Sequence, residues 1–288
     1  MALPAKSVRA ATLCLLMLLP ARGYAEGIDT EHIFAFMIGS DVGELGDREF
    51  QSETTGRFSK EGGMYGVVGH EVELEFVPVR DFRIEIGTTL SGRDIDGVPG
   101  LENSSGVAWQ GASLDLRYRF LDRQTSPFGL TLAVEAQGDR LDEISASRAR
   151  NFEMEWILAL ERDVIPNLAV ATLNLSYQPE WNHLVGTPAG EQESTLGAAF
   201  GLMARLGPDI LIGGEVRYFR KYQAIGLEEL VGQALFVGPT VYFQLSERAR
   251  LTANWSVQAW GRTAGSDGNL DLVNFERHQA RLVFGVNF

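Results

Sequence analysis

Residues 281–288 read RLVFGVNF, and the alternation runs back to Gln279: Ala280, Leu282, Phe284, Val286 and Phe288 interleave with Gln279, Arg281, Val283, Gly285 and Asn287. A period of two marks a strand with two unlike faces. Soluble domains usually finish in a mobile polar segment, so a strand running out to a bulky aromatic suggests an end held in some other medium.

The same period recurs upstream. Leu251, Ala253, Trp255 and Val257 alternate with Thr252, Asn254, Ser256 and Gln258, and in EVELEF the apolar Val72, Leu74 and Phe76 alternate with Glu71, Glu73 and Glu75. Twelve such segments are expected, near 48–58, 64–77, 82–93, 107–120, 128–138, 152–162, 168–178, 193–206, 210–220, 231–244, 249–262 and 275–288. Tight connections such as VPVRD, LGPD and LSER interleave with longer polar ones, the pattern of an up-and-down antiparallel barrel with both ends on the short-turn, periplasmic side. The alternative, a secreted β-sandwich, would bury the apolar faces. Segments of about ten residues suit a tilted spanning strand. Aromatics near segment ends form two expected girdles, with Phe76, Phe82, Phe120, Phe128 and Phe288 on the turn side and Tyr65, Trp109, Phe152, Tyr177, Tyr218 and Trp260 on the loop side. The expected fold is all-β, a 12-stranded antiparallel up-and-down transmembrane β-barrel at 48–288.

Residues 1–25 read as a secretory signal peptide, with Lys6 and Arg9 ahead of an apolar run and Ala25 at the cleavage position. The run is too short to span a bilayer as a helix. The single cysteine, Cys14, falls within it, so the mature chain is expected to be free of cysteine. The leader carries three cations and no acid, which takes the formal charge from -13 to about -16 and argues against nucleic-acid binding. Residues 26–47 are a leading segment in which HIFAFMIG is strand-like and SDVGELGD turn-rich. It has three possible places: paired at the rim, tucked into the lumen, or added as a further strand.

A strand of alternating apolar residues closing on Phe288 resembles the last strand of Gram-negative outer-membrane barrels, in which the terminal aromatic is a recognition feature for the barrel-assembly machinery. The stretches GSDVGELGDREFQSETTGRF, GVPGL, PFGLTL, LFVGPTVYFQLS and NFERHQA are similar to an uncharacterised proteobacterial family of such barrels. The resemblance implies outer-membrane residence among outer-membrane lipid, Phe288 as the membrane-insertion signal, and no known activity.

The alternation places many charges inside: Glu71, Glu73, Glu75, Glu85, Asp115, Glu135, Glu153, Glu155 and Glu215, with Arg83, Arg117, Arg119, Arg217 and Arg281. In a wet lumen these would line a path for a small solute, favouring cations where acids dominate, as in a porin-like passive channel or transporter. In a dry one they would pair across the interior and close it, leaving a non-conducting structural barrel. Enzymatic chemistry has little support. HEVEL at His70 lacks the second histidine of a zinc helix, DIDGVPGLENSS has Ser105 where a calcium loop needs glutamate, and no nucleophile elbow or phosphate loop occurs. No cofactor and no dedicated metal site are expected, and the acids of the outer loops, Glu143 among them, are spread over several connections. One enzymatic alternative remains, since some outer-membrane barrels are lipid hydrolases with a Ser/His pair on the lipid-facing wall. Here His278 and Ser52 face outward on the last and first strands, which are expected neighbours.

Overall fold

The computed structural model describes residues 27–142, 145, 147–186 and 189–288. Residues 1–25, expected to be a signal peptide, and Glu143 lie outside the described residues. Twelve antiparallel strands form one closed barrel: β1 (Arg48–Phe58), β2 (Met64–Val79), β3 (Phe82–Asp96), β4 (Ser104–Leu121), β5 (Gly129–Leu141), β6 (Arg148–Ile165), β7 (Ala169–Leu184), β8 (Glu191–Gly207), β9 (Ile210–Gln223), β10 (Glu229–Gln244), β11 (Ala249–Thr263) and β12 (His278–Asn287). Each strand pairs with its sequence neighbours, and β12 closes on β1 from Glu49 opposite Asn287 to Phe58 opposite His278. Closure leaves no strand edge, which a hydrocarbon environment requires because it has no water to satisfy free N–H and C=O groups.

Every expected segment has its strand, but many strands run further toward the loop end than the sequence reading places them. β4 begins at Ser104, β6 at Arg148 and β7 ends at Leu184. The ladder there continues through polar residues, where the apolar alternation has already stopped. β12 departs in the other direction and starts at His278, because Phe275 turns inward against Phe219 and Phe236 at 6.5 and 6.4 Å between ring centroids.

The faces follow the period. Leu74, Ile86, Leu114, Leu173, Leu202, Ile212 and Leu282 stand exposed on the outer wall, with Phe120, Phe128 and Phe288 at one end and Trp109 and Phe152 toward the other. A continuous apolar surface of this kind on a soluble monomer would be an association hazard, whereas in a bilayer it is the lipid contact. Tyr65 corrects the expected girdle: it points inward and is buried with Val67, Ile95 and Val98. Tyr65 shares its parity with Glu71 and Glu73 rather than with Leu74, so the register settles its direction.

Phe284 sits on the outer wall opposite Ser52 and Leu251, away from the strand ends. An arginine on this wall costs on the order of 2–4 kcal/mol near the bilayer midplane. Phe284→Arg is expected to lower the yield and stability of barrel refolded into phospholipid vesicles by that amount, measured as a shift in urea midpoint against wild type.

Candidate functional site

The leading segment lies inside the barrel. Of its three expected places, the structure shows the lumen, at the end that carries the termini and short turns. Residues 28–42 adopt no regular secondary structure, so their backbone groups need other partners. Inward side chains of the wall supply them. Glu215 accepts the N–H groups of Ala35 and Phe36 at 2.9 and 3.0 Å, and Asn174 bridges both the N–H and the carbonyl of Ile38. Thr131 and Thr252 donate to the carbonyls of Ser40 and His32. The plug is therefore fastened through wall side chains and adds no strand to the sheet.

Its apolar side chains meet a matching patch. Ile28, Ile33, Phe34 and Met37 are buried against Val170, Ala199, Met203 and Leu211, which stand at inward positions of β7, β8 and β9. Gly201 makes room for this contact, since a Cβ there would lie 2.3 Å from the Phe34 ring. Apolar residues at inward positions were the available signal that something other than water fills this part of the lumen.

A charged anchor completes the attachment. Arg123, in the turn after β4, is almost fully buried and contacts Asp41 of the plug at 3.0 Å, Glu161 at 2.9 Å and Asp163 at 2.7 Å, while also donating to the carbonyl of Ile28. Glu161 in turn accepts hydrogen bonds from Thr30, Ser40 and Thr172. Sequence reading missed Arg123, Asp41 and Glu161. Arg123 sits in a turn, outside the alternation, and Glu161 is one inward acid among many.

The expected lumen residues divide into two groups. Glu75, Arg83, Glu85, Asp115 and Arg117 face inward and are held in ion pairs. Arg83 is fully buried and pairs with Glu85 at 2.6 Å, Glu31 at 2.7 Å and Glu75 at 3.5 Å. Arg117 joins Glu85 to Asp115 at 3.1 and 2.8 Å. Arg119 is drawn to Asp81 in the β2–β3 turn and to Asp41, Glu215 holds the plug backbone, and Glu73 accepts a hydrogen bond from Gln51. Ion pairs and the plug occupy this half of the lumen.

Glu71, Glu135, Glu153, Glu155, Arg217 and Arg281 line a chamber of about 370 Å³ whose floor is Phe36. Its charges are unequal and only partly segregated. The β2, β5, β6 and β7 walls contribute acids alone, Glu71, Glu135, Glu153, Glu155 and Glu180, whereas Arg57, Lys221 and Arg281 pair with Glu276, Glu193 and Glu53 at 3.7, 2.6 and 3.0 Å, and Arg217 stands on β9. Arg217 and Arg281 hold their guanidiniums 3.8 and 4.5 Å from the centroid of the Phe36 ring, so cation–π contacts fix the floor to β9 and β12.

The acids have a further order. Glu49, Glu75, Glu85, Asp115, Glu135 and Glu155 are successive register partners across β1 to β6, each directly opposite the next. Directly opposed like charges destabilise a sheet unless cations intervene. Arg250, Arg83 and Arg117 answer the first part of this belt, and Gly285 leaves the space through which Arg250 reaches Glu49. The belt then continues through Glu135 and Glu155 into the chamber.

On the outer wall, Ser52 lies opposite Phe284 and His278 opposite Phe58, six residues apart along β1, or about 20 Å at strand rise. The expected Ser/His pair therefore does not form, because antiparallel register carries the two groups to opposite ends of the seam. His278 instead packs beside Trp255, with centroids 6.0 Å apart. Thr54 and His70, cross-strand partners, do meet at 2.9 Å. Among the described residues no carboxylate lies within ion-pair distance of His70 to orient it, as a nucleophile's base requires.

A closed twelve-stranded wall with an apolar outside and a charged inside defines an outer-membrane β-barrel. The chain belongs to a family of unknown function, DUF6662, whose model matches residues 26–288. A search of curated proteins finds no match. Among solved structures, the chain is similar to the COG4313 outer membrane channel from Pseudomonas putida F1, with a TM-score of 0.61 and 10% identity over 85% of this chain and 96% of that one. It is also similar to the beta domain of the Bordetella autotransporter BrkA, with a TM-score of 0.50 and 14% identity over 84% of this chain and 100% of that one. At these identities the likeness is one of fold.

The attachment of the plug can be measured. Removing one partner of a buried ion-pair network costs about 3–5 kcal/mol. Met37→Cys, placed in residues 26–288, which contain no other cysteine, should react slowly with a thiol reagent in the folded barrel. Adding Arg123→Ala should raise that rate at least tenfold while the barrel remains folded by circular dichroism.

Proposed function

We propose that this barrel is a passive channel for a small cationic solute, gated at its termini end by residues 28–41. The observation that carries the reading is the acid excess of the chamber: nine carboxylates and four cations line it above the plug, and the β2, β5, β6 and β7 walls contribute acids alone. A barrel with only a structural role gains by pairing interior charges, as the termini half does. Here Glu135 stands between Asp115 and Glu155, with like charge opposite on both sides, facing the chamber. Such a wall concentrates cations.

The fastening of the plug fits gating. It is held by side-chain hydrogen bonds and ion pairs, so it can move without opening any strand ladder. The COG4313 protein is described as an outer membrane channel, and the likeness in fold makes the same role a reasonable expectation here. Lipid hydrolysis is the weaker reading, because Ser52 and His278 lie far apart. For Phe288, exposed at the rim with its N–H donated to the Arg48 carbonyl, the same proposal keeps the role of insertion signal for the assembly machinery.

Planar-bilayer recording tests the proposal. Wild type should pass small, cation-preferring currents, and deletion of residues 27–41 should raise the unit conductance several-fold. Combined Glu71→Gln, Glu135→Gln and Glu153→Gln should bring the cation-to-anion permeability ratio toward one. A deletion variant that inserts but stays silent would leave the non-conducting structural barrel as the correct description.

A further inference from the structure

His32 lies in the plug with its side chain nine-tenths buried, and its Nε2 atom makes no hydrogen bond. Three carboxylate oxygens surround that atom: Glu75 Oε2 at 3.4 Å, Glu49 Oε2 at 3.7 Å and Glu31 Oε1 at 3.8 Å. These separations are too long for N–H···O hydrogen bonds, which fall at about 2.7–3.2 Å. They are close to the edges of a coordination polyhedron. A first-row ion with nitrogen and oxygen ligands at about 2.0–2.2 Å sets neighbouring ligand atoms about 3.3–3.6 Å apart in a tetrahedron. The ligand atoms of Glu31, His32 and Glu75 all fall within 4.8 Å of one another.

We infer that His32, Glu31, Glu75 and Glu49 form a binding site for one divalent transition ion of the zinc class, which ties the plug to the β1–β2 wall. Four arguments converge on it. The first is donor chemistry: one imidazole with carboxylates suits zinc or a neighbouring first-row ion, whereas calcium prefers all-oxygen sites. Geometry is the second. The buried Nε2 atom of His32 has no hydrogen bond and stands among three carboxylate oxygens at 3.4, 3.7 and 3.8 Å.

Charge supplies the third argument. The joined cluster contains Glu31, Glu49, Glu75, Glu85 and Asp115 against Arg83, Arg117 and Arg250. Five carboxyl groups and three guanidiniums leave an excess of two acids in a largely dry site, and one divalent ion can take the place of the protons that would otherwise neutralise them. The fourth is support around the ligands. Arg83 holds Glu31 and Glu75, and Arg250 holds Glu49, so the proposed ligands are oriented by partners of their own, as in built metal sites. Glu49 and Glu75 are also register partners across β1 and β2, which sets two of the ligands on a rigid frame.

Calorimetry on untagged mature protein in detergent, stripped with a chelator and titrated with Zn²⁺, tests the inference without reference to conductance. Wild type should bind one Zn²⁺ per chain with micromolar or tighter affinity, and millimolar Ca²⁺ should not compete. His32→Ala should weaken binding at least tenfold. The plug residue His32 is outside the barrel ladder, so that variant should keep the wild-type circular dichroism. Glu75→Gln should also weaken binding, whereas His70→Ala and His278→Ala, both on the outer wall, should leave it unchanged. No saturable Zn²⁺ binding, or unaltered affinity in His32→Ala, would overturn the site. Loss of binding in His70→Ala or His278→Ala would overturn it equally, by locating the ion on the outer wall.

Discussion

The seam between β1 and β12 is the interaction on which the rest of the structure depends. Ten register pairs, from Glu49 opposite Asn287 to Phe58 opposite His278, join the two ends of a sheet that would otherwise present two bare edges to hydrocarbon. Once closed, the sheet has only two surfaces, and the bilayer claims the outer one. Every second side chain is thereby committed to the interior, whatever its charge. The ion pairs, the plug and the chamber are successive answers to the question of what can fill that interior.

The charges show the cost of this commitment most clearly. A belt of six carboxylates on six adjacent strands would repel itself if it faced only water and its own members. Near the termini, Arg83, Arg117 and Arg250 neutralise most of it, and Arg83 does so with no exposure to solvent. Farther along, Glu135 and Glu155 look onto open space instead. One belt thus has a part packed in ion pairs and a part that borders the chamber, which Phe36 of the plug also lines. The position of the plug decides which acids are held in ion pairs and which face the chamber.

Much of the wall was legible in the sequence because a strand has a period of two and lipid enforces it. EVELEF needs no partner to reveal which side faces out. Direction, too, could be read for residues such as Glu71 and Arg281, which do face the chamber. What the period could not convey was the interior's third dimension. Arg83 and Glu135 look alike in an alternating string, yet one is locked in ion pairs and the other borders a cavity. The difference depends on which strands lie across the lumen and on a segment with no period at all. Tyr65 was misplaced for a related reason: an aromatic near a strand end serves a girdle or an inner cluster equally well, and only its parity with Glu71 distinguishes them. Ser52 and His278 failed on register, since adjacent strands do not make adjacent residues when the partners lie at opposite ends of an antiparallel pair.

The route of the chain through the plug has a consequence for assembly. Residues 28–42 precede β1 and contact β5 through β9 and β11 from within, through Thr131, Glu161, Asn174, Met203, Glu215 and Thr252. The seam joins the two strands most distant in sequence, so it carries the largest loop-closure entropy and forms late if local hairpins form first. A segment that must end up enclosed is most easily placed while the sheet is still an open, curved surface. The inward faces of the middle strands can then act as a template that gathers the plug before the last ladder zips. In that order, the plug draws β1 toward the far edge of the sheet and shortens the search by which the two ends find each other.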